Sequence, residues 1–189
     1  MTAFEPIETE RLILRRFEAR DVDALHAYRA DKDVAWFQGW SLDYSRADAE
    51  AFVAEQSEIA IGEPGVGAQI AAESKATGTL LGDLYLFVWE RDPRLAQLGY
   101  TIARGAWGQG YATEAVLALL GYLFDVRDMH RVTARTDTQN ERSIRLLERI
   151  GMRREAHHRE SWFHRERWTD EYAYALLQHE WRASRQDGV

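Results

Sequence analysis

The residues with the clearest chemical potential form one loop, Trp107-Gly108-Gln109-Gly110-Tyr111-Ala112-Thr113, ahead of a strongly apolar stretch. Two glycines at this spacing let the backbone turn sharply and approach a ligand with no Cβ in the way. The first turn of a following helix has no intrahelical acceptors for its amides, and its positive dipole end points the same way. Such a junction is an anion site. A bare strand-to-helix turn is the competing reading of an isolated Gly-x-Gly. Two nucleotide-binding loops are excluded by spacing. A P-loop needs a lysine directly after its last glycine, and Tyr111 follows Gly110. A dinucleotide fold needs a third small residue three positions past the second glycine and an acid ending the next strand. Thr113 holds the first place, but Asp137 lies too far along the chain and Asp128 precedes that strand.

Other residues could share a site with this loop. Asn140 opens a helical stretch as a good N-cap, and Ser143 faces the same way one turn later. Ser143 also reads as an ordinary first-turn polar residue. Gly99, inside a strand, suggests a bulge or a close backbone approach, or else relief of packing under Trp107. Near the end of the chain, His158, Glu160, Trp162 and His164 alternate onto one strand face. His158 or Glu160 could take a proton there, and a solvated surface is the alternative. No metal centre is expected on that face, because one strand cannot enclose a cation. The aromatic run Trp36-Phe37-Gln38-Gly39-Trp40 reads either as a pocket roof or as core packing.

These residues need elements to hold them. Residues 11–17 read as a strand, and Asp21 as the N-cap of a helix through about residue 30. Residues 45–59 read as a second helix. Strands are expected at 68–74, 79–89 and 95–103, then a helix at 111–124, a strand at 131–136 and a helix at 141–150 stopped by Gly151. Residues 154–164 and 168–177 form a hairpin across Arg165-Glu166-Arg167. This order predicts an α/β fold: one domain over 1–189 (core about 8–181) with a mixed, mostly antiparallel sheet and a central parallel crossover.

Composition narrows the function classes. The 189 residues suit one domain. No cysteine is present, which excludes disulfides, thiolate metal sites and a cysteine nucleophile. A net charge of −7 argues against a nucleic-acid partner. No apolar run is long enough for a membrane span. The acidic start of the chain lacks the apolar core of a secretory signal, so a cytoplasmic location is expected.

Three segments in order carry a resemblance: Leu98-Gly99-Tyr100-Thr101-Ile102, the loop from Trp107 to Ala115, and Asn140-x-x-Ser143-x-x-Leu146-x-x-x-Ile150-Gly151-Met152. Together they resemble the GNAT superfamily of N-acetyltransferases, in particular its RimJ/RimL branch of ribosomal-protein N-terminal acetyltransferases. The likeness runs from Glu8-Thr9-Glu10-Arg11-Leu12 to the closing Ala175-Leu176-Leu177-Gln178-His179-Glu180-Trp181. It implies acetyl-CoA as co-substrate, lying in a splay between the central parallel strands. Its pantetheine would pair with backbone near Tyr100 and Ile102 and with Asn140. Its pyrophosphate would take amides from Gly108, Gln109, Gly110, Tyr111, Ala112 and Thr113. The superfamily often has Gln or Arg where Trp107 stands, a replacement usual in this branch. A homodimer and a primary-amine acceptor, such as a protein N-terminus, are further implications.

Two departures from the superfamily pattern matter. Leu147 occupies the place of the usual tyrosine acid, and Gln97 that of a common carboxylate base near the acceptor pocket. Ser143 is then the next candidate acid, and His158 or Glu160 the candidate base. Trp36, Trp40, Gln97 and Trp162 are the expected acceptor pocket. A peptide α-amine, with a pKa of about 7.7–8.0, is partly neutral at pH 7 and needs little base. Direct transfer in a ternary complex is expected; the alternative is a non-catalytic acyl-CoA sensor.

Overall fold

Ala115, Val116, Leu119, Leu120, Leu123 and Phe124 recur at the spacing of one helical face, and all six are buried. They belong to α4 (Tyr111–Gly121) and the π-helical turn Tyr122–Val126 that extends it. The computed structural model describes residues 4–186. In it α4 packs on a sheet of eight strands: β1 (Ile7–Glu8), β2 (Leu12–Arg15), β3 (Gly67–Ser74), β4 (Leu80–Val88), β5 (Leu95–Ile102), β6 (Arg131–Asp137), β7 (Arg153–His164) and β8 (Arg167–Leu177). Their spatial order is β1-β2-β3-β4-β5-β6-β8-β7. Every pair is antiparallel except β5–β6, which are joined by a crossover through α4.

The opposite face of the sheet carries α1 (Val22–Arg29), α2 (Lys32–Ala35) and α3 (Arg46–Glu58), packed around Phe17, Leu25, Tyr28, Val53 and Ala71. Ser45 caps α3 and forms a reciprocal capping box with Asp48. α5 (Glu141–Arg149) follows β6, and Gly151, at φ 87°, ends its last turn. No helix among the described residues is long and apolar enough to cross a membrane.

The α/β reading and its central parallel pair hold, with local differences. β1, α2 and α6 (Gln178–Gln186) were not expected, since two of them are very short and α6 is almost wholly polar. Asp21 precedes α1 but makes no side-chain cap. Its carboxylate instead accepts the Glu18 amide at 2.8 Å and two nitrogens of buried Arg15 at 2.7 and 2.8 Å. The hairpin loop is shorter than expected. Arg165 and Glu166 alone form it, at φ 51° and 61°, the left-handed pair that a two-residue hairpin turn demands.

Since α4 carries the loop, its packing sets the loop's rigidity. Leu119→Ala should cost about 2–5 kcal/mol by loss of buried methyl groups and the cavity left behind. A urea titration with an unchanged slope and a lowered midpoint would report it.

Candidate active site

β5 and β6 pair only from Leu95 with Arg131 to Leu98 with Ala134. Beyond this, β5 follows β4 to Ile102, and β6 follows β8 to Asp137. The strands therefore diverge and open a gap in the sheet. In an antiparallel ladder, opposed residues alternate between pairs that exchange hydrogen bonds and pairs that do not. The β4–β5 ladder is bracketed by Trp89 N–H on the Leu95 carbonyl (2.9 Å) and Ala103 N–H on the Leu81 carbonyl (2.8 Å), with unbroken register between. Odd-numbered residues of β5 thus bond to β4, and the amides and carbonyls of Tyr100 and Ile102 turn toward the gap. The Trp107 indole N–H donates to the Ile102 carbonyl at 2.7 Å. Both backbone groups of Tyr100 and the amide of Ile102 stay open.

The same register corrects the bulge expected at Gly99. A Cβ there would meet Tyr85 of β4 at an ordinary contact distance, 3.4 Å from its Cβ, and would meet no atom of Trp107 within 4 Å. Its amide belongs to the β4 ladder.

At the mouth of the gap lies the glycine loop. Gly108 and Gly110 sit at φ 74° and 84°, a region that side-chain-bearing residues rarely adopt. Six consecutive amides, residues 108–113, have no hydrogen-bond acceptor among the described residues. Behind them Arg11 acts as a brace. Its backbone amide and Nε donate to the Glu114 carboxylate at 2.8 and 2.6 Å, and its Nη1 donates to the Gln109 carbonyl at 2.9 Å. Its guanidinium also lies 4.4 Å from the Tyr111 ring centroid. The Thr9 hydroxyl donates to Glu114 as well. Burial alone would raise the Glu114 carboxyl, but these donors hold it below the ordinary carboxylate range. The Gln109 side chain folds back onto the Gly105 carbonyl (2.8 Å), so Gln109 offers the mouth only its backbone.

Loop and gap open into one cleft of about 1840 Å³. α5 forms its far wall. Arg142 stacks 4.1 Å over the Trp107 ring, and Arg149 donates to the Thr113 hydroxyl at 2.7 Å. Neither arginine has a carboxylate partner among the described residues, which makes the loop mouth positive in a chain of net charge −7. Asn140 caps α5 by accepting the Ser143 amide at 3.2 Å, leaving its own NH₂ free to donate into the cleft. Ser143 Oγ lies 2.8 Å from the phenol oxygen of Tyr100. Burial pushes that phenol up to about 12, against the lowering effect of the Ser143 hydrogen bond and the Arg149 charge. Leu147 is fully buried.

The other end of the cleft is lined by Trp36, Phe37, Gln38, Trp162 and Glu171. Arg165 holds this end together by donating from one nitrogen to the carbonyls of Ala35 (2.9 Å) and Trp40 (2.8 Å), which ties the β7–β8 hairpin to the loop after α2. Glu171 accepts the Ser161 hydroxyl at 3.0 Å and faces Arg135 at 3.6 Å. No local pattern marks Glu171. It reaches the cleft because β8 lies beside β6 and sets it opposite Asp137.

Four candidate residues lie elsewhere. The Trp40 indole N–H donates to the Arg29 carbonyl (3.1 Å), and its ring packs under the Arg29 guanidinium in the α1–α3 core. Gln97 borders a separate cavity of about 250 Å³, beside the closed, paired part of β5 and β6. His158 and Glu160 do not line the cleft. An irregularity between His158 and Trp162, with Glu160 at φ 45°, breaks the simple alternation expected along β7. The Glu160 amide turns to the Asp170 carboxylate (2.8 Å). Among the described residues, no group of three or more His, Asp or Glu could hold a metal ion.

The pattern of the acetyltransferase (GNAT) domain matches residues 11–153. A Bacillus subtilis (strain 168) relative, the uncharacterized N-acetyltransferase YnaD, is 29% identical over 175 residues, 93% of this chain and 98% of the relative. The ribosomal protein uS5-alanine N-acetyltransferase of Escherichia coli (strain K12) is 31% identical over 88 residues, 47% of this chain and 45% of that enzyme. The crystal structure of a GNAT-family acetyltransferase from Bacillus anthracis superposes with a TM-score of 0.82 at 30% identity, covering 93% of this chain and 100% of that one.

The brace behind the loop is open to test. Arg11→Ala leaves the half-buried Glu114 without its cation, and should destabilise the protein by about 1–2 kcal/mol in urea. Because the Glu114 carboxyl titrates below its unfolded value of about 4.3, the stability it adds is present above that pH and lost as pH falls through the folded value. The wild-type advantage over Arg11→Ala should therefore shrink on acidification below pH ~4.

Proposed function

We propose that this chain, which belongs to the acetyltransferase (GNAT) family, transfers an acetyl group from acetyl-CoA to a weakly basic primary amine, foremost the α-amine of a peptide N-terminus. The observation that carries the reading is the run of six unpartnered amides, residues 108–113, opening onto the cleft beside Tyr100. A diphosphate fits that nest by charge and by hydrogen-bond count. The E. coli relative is named for an alanine of ribosomal protein uS5, which supports a peptide acceptor.

The residues divide the work by position. The amides of residues 108–113, with Arg142 and Arg149, hold phosphate groups. The open carbonyl of Tyr100, the amide of Ile102 and the Asn140 NH₂ hold the pantetheine arm. The Tyr100 amide, facing the gap, is the donor available to a thioester oxygen. Bound acetyl-CoA supplies a thioester whose carbonyl carbon the amine attacks. Trp36 and Trp162 flank the amine, and Glu171 takes its proton directly or through one water. In the balanced step an N–C bond forms, the C–S bond breaks with its electron pair on sulfur, and one amine proton passes to Glu171. Side-by-side placement of the two reactants supplies much of the acceleration, so no covalent enzyme intermediate is needed.

Acetyl-CoA at a hundred times its Kd should stabilise the protein by about 2.7 kcal/mol, read as a rise in Tm. Gly110→Val, strained at φ 84° and within 3.2 Å of Arg11 Nη2, should abolish that rise; an undiminished rise in this variant would refute the loop assignment. Thiol release on a panel of peptides and polyamines tests the chemistry. Turnover with peptides is expected, and tight acetyl-CoA binding with no turnover on any amine would overturn the transferase reading. Glu171→Gln should lower kcat by about 10²-fold with little change in acetyl-CoA affinity. An unaltered kcat would remove Glu171 from the proton path.

A further inference from the structure

We propose that the smaller cavity, of about 250 Å³, is a subsite for an acidic side chain of the acceptor, so that the enzyme favours peptide N-termini with Asp or Glu at the second or third residue. This rests on the transferase reading above and narrows its acceptor to acidic peptides.

The position of the cavity follows from strand alternation. Along β6, Arg131, Thr133 and Arg135 alternate with Val132 and Ala134, which are buried in the core with α4, so the three point to the opposite face of the sheet. On that face the helices α1 and α3 pack around Ala71 of β3 and Leu80 of β4, and their core takes no buried residue from β5 or β6. Gln97 of β5, in register with Thr133, is left to line the cavity there. Ala134 and Arg135 line both this cavity and the active cleft, so the two share a wall. From Arg135 back to Arg131 the strand covers about 13 Å, at about 3.3 Å per residue. An extended peptide advances by the same step. With its amine beside Glu171 and its chain laid along this face, its second or third side chain comes over the cavity. The α-carboxylate of a free amino acid, within about 4 Å of its own amine, stays in the cleft.

Charge selects the ligand. Among the described residues the cavity walls carry Arg91, Arg131, Arg135 and one carboxylate, Glu155. Glu155 accepts from Arg131 at 3.1 Å and from Arg153 at 2.9 Å, so its charge is neutralised and Arg131 is engaged. Arg91 and Arg135 remain available. The Arg91 guanidinium has no carboxylate partner among the described residues and lies 5.3 Å from the Trp89 ring centroid, while that ring packs edge-on against Phe87 at 5.2 Å. Arg135 faces Glu171 at 3.6 Å, beyond hydrogen-bond reach, which leaves its donors unused. The Thr133 hydroxyl is turned away to the Ala96 carbonyl at 3.1 Å. Gln97 is uncharged and has an amide NH₂ to donate, where an acid would repel an acidic ligand. Two free guanidinium forks and one amide donor suit a planar carboxylate and disfavour a polyamine.

The test measures kcat/KM by thiol release at saturating acetyl-CoA, on peptides that differ only by Glu or Gln at the second or the third residue. The wild type should prefer Glu over Gln by about tenfold at one of these places, as expected for partly exposed charged hydrogen bonds. Arg91→Ala and Arg135→Gln should each lower that ratio several-fold, and Arg91→Glu should bring it to one or below. Each ratio is taken within one preparation, so the amount of folded protein cancels. The preference should also fall as salt is raised from 0.05 to about 0.5 M. Turnover with a wild-type Glu-to-Gln ratio near one overturns the subsite and leaves the transferase reading standing. An undiminished ratio in both single variants likewise overturns it, as does a preference for free glutamate over free glutamine with none on peptides. Absence of turnover on every amine would instead overturn the transferase reading, and the subsite with it.

Discussion

The site depends on how briefly β5 and β6 stay paired. Were their ladder to continue past Leu98 and Ala134, the backbone groups of Tyr100 and Ile102 would be consumed by β6 and no cleft would exist. Unpaired backbone inside a sheet is costly unless water or a ligand can reach it. The divergence is sustained because each strand keeps its outer partner, β4 for one and β8 for the other. The crossover that makes the pair parallel also places α4 at the end of β5. The six buried residues along α4 and its extension then leave the glycine loop little freedom to close over its own amides.

Charge is distributed to match this geometry. The chain is acidic overall, yet the loop mouth is flanked by Arg142 and Arg149 without carboxylate partners among the described residues, while Glu114 is neutralised by Arg11. At the other end of the cleft, Glu171 lies among Trp36 and Trp162. Glu171 faces Arg135 at 3.6 Å, so the two walls differ in charge: unpaired arginines at the loop mouth, a paired carboxylate at the other end. Local fields of this kind act over about one Debye length, so the net charge says little about either end.

The positions where pattern reading went astray share a cause. Alternation along β7 places His158, Glu160 and Trp162 together only if pairing is regular, and the irregularity next to Glu160 breaks that condition. Trp40 and Trp36 are four residues apart in one aromatic run, yet one packs under Arg29 and the other reaches the cleft. Gln97 is two residues from Gly99 but lies where the strands are still closed. Along β7 the alternation itself is interrupted, and for Trp40 and Gln97 the neighbour that decides exposure came from a distant segment.

The sequence by itself determined what depends on near neighbours. The positions of the main strands and helices, the two left-handed glycines, the exposed first turn of α4 and the Asn140 cap all follow from residue spacing and local backbone preference. Tertiary structure alone decided which side chains face one another across the gap. It set Tyr100 against Ser143, brought Glu171 from β8 to the cleft wall, and braced the loop with Arg11 from the β1–β2 turn. Such contacts join segments dozens of residues apart, and their distances are fixed by strand order and register, which no local pattern encodes.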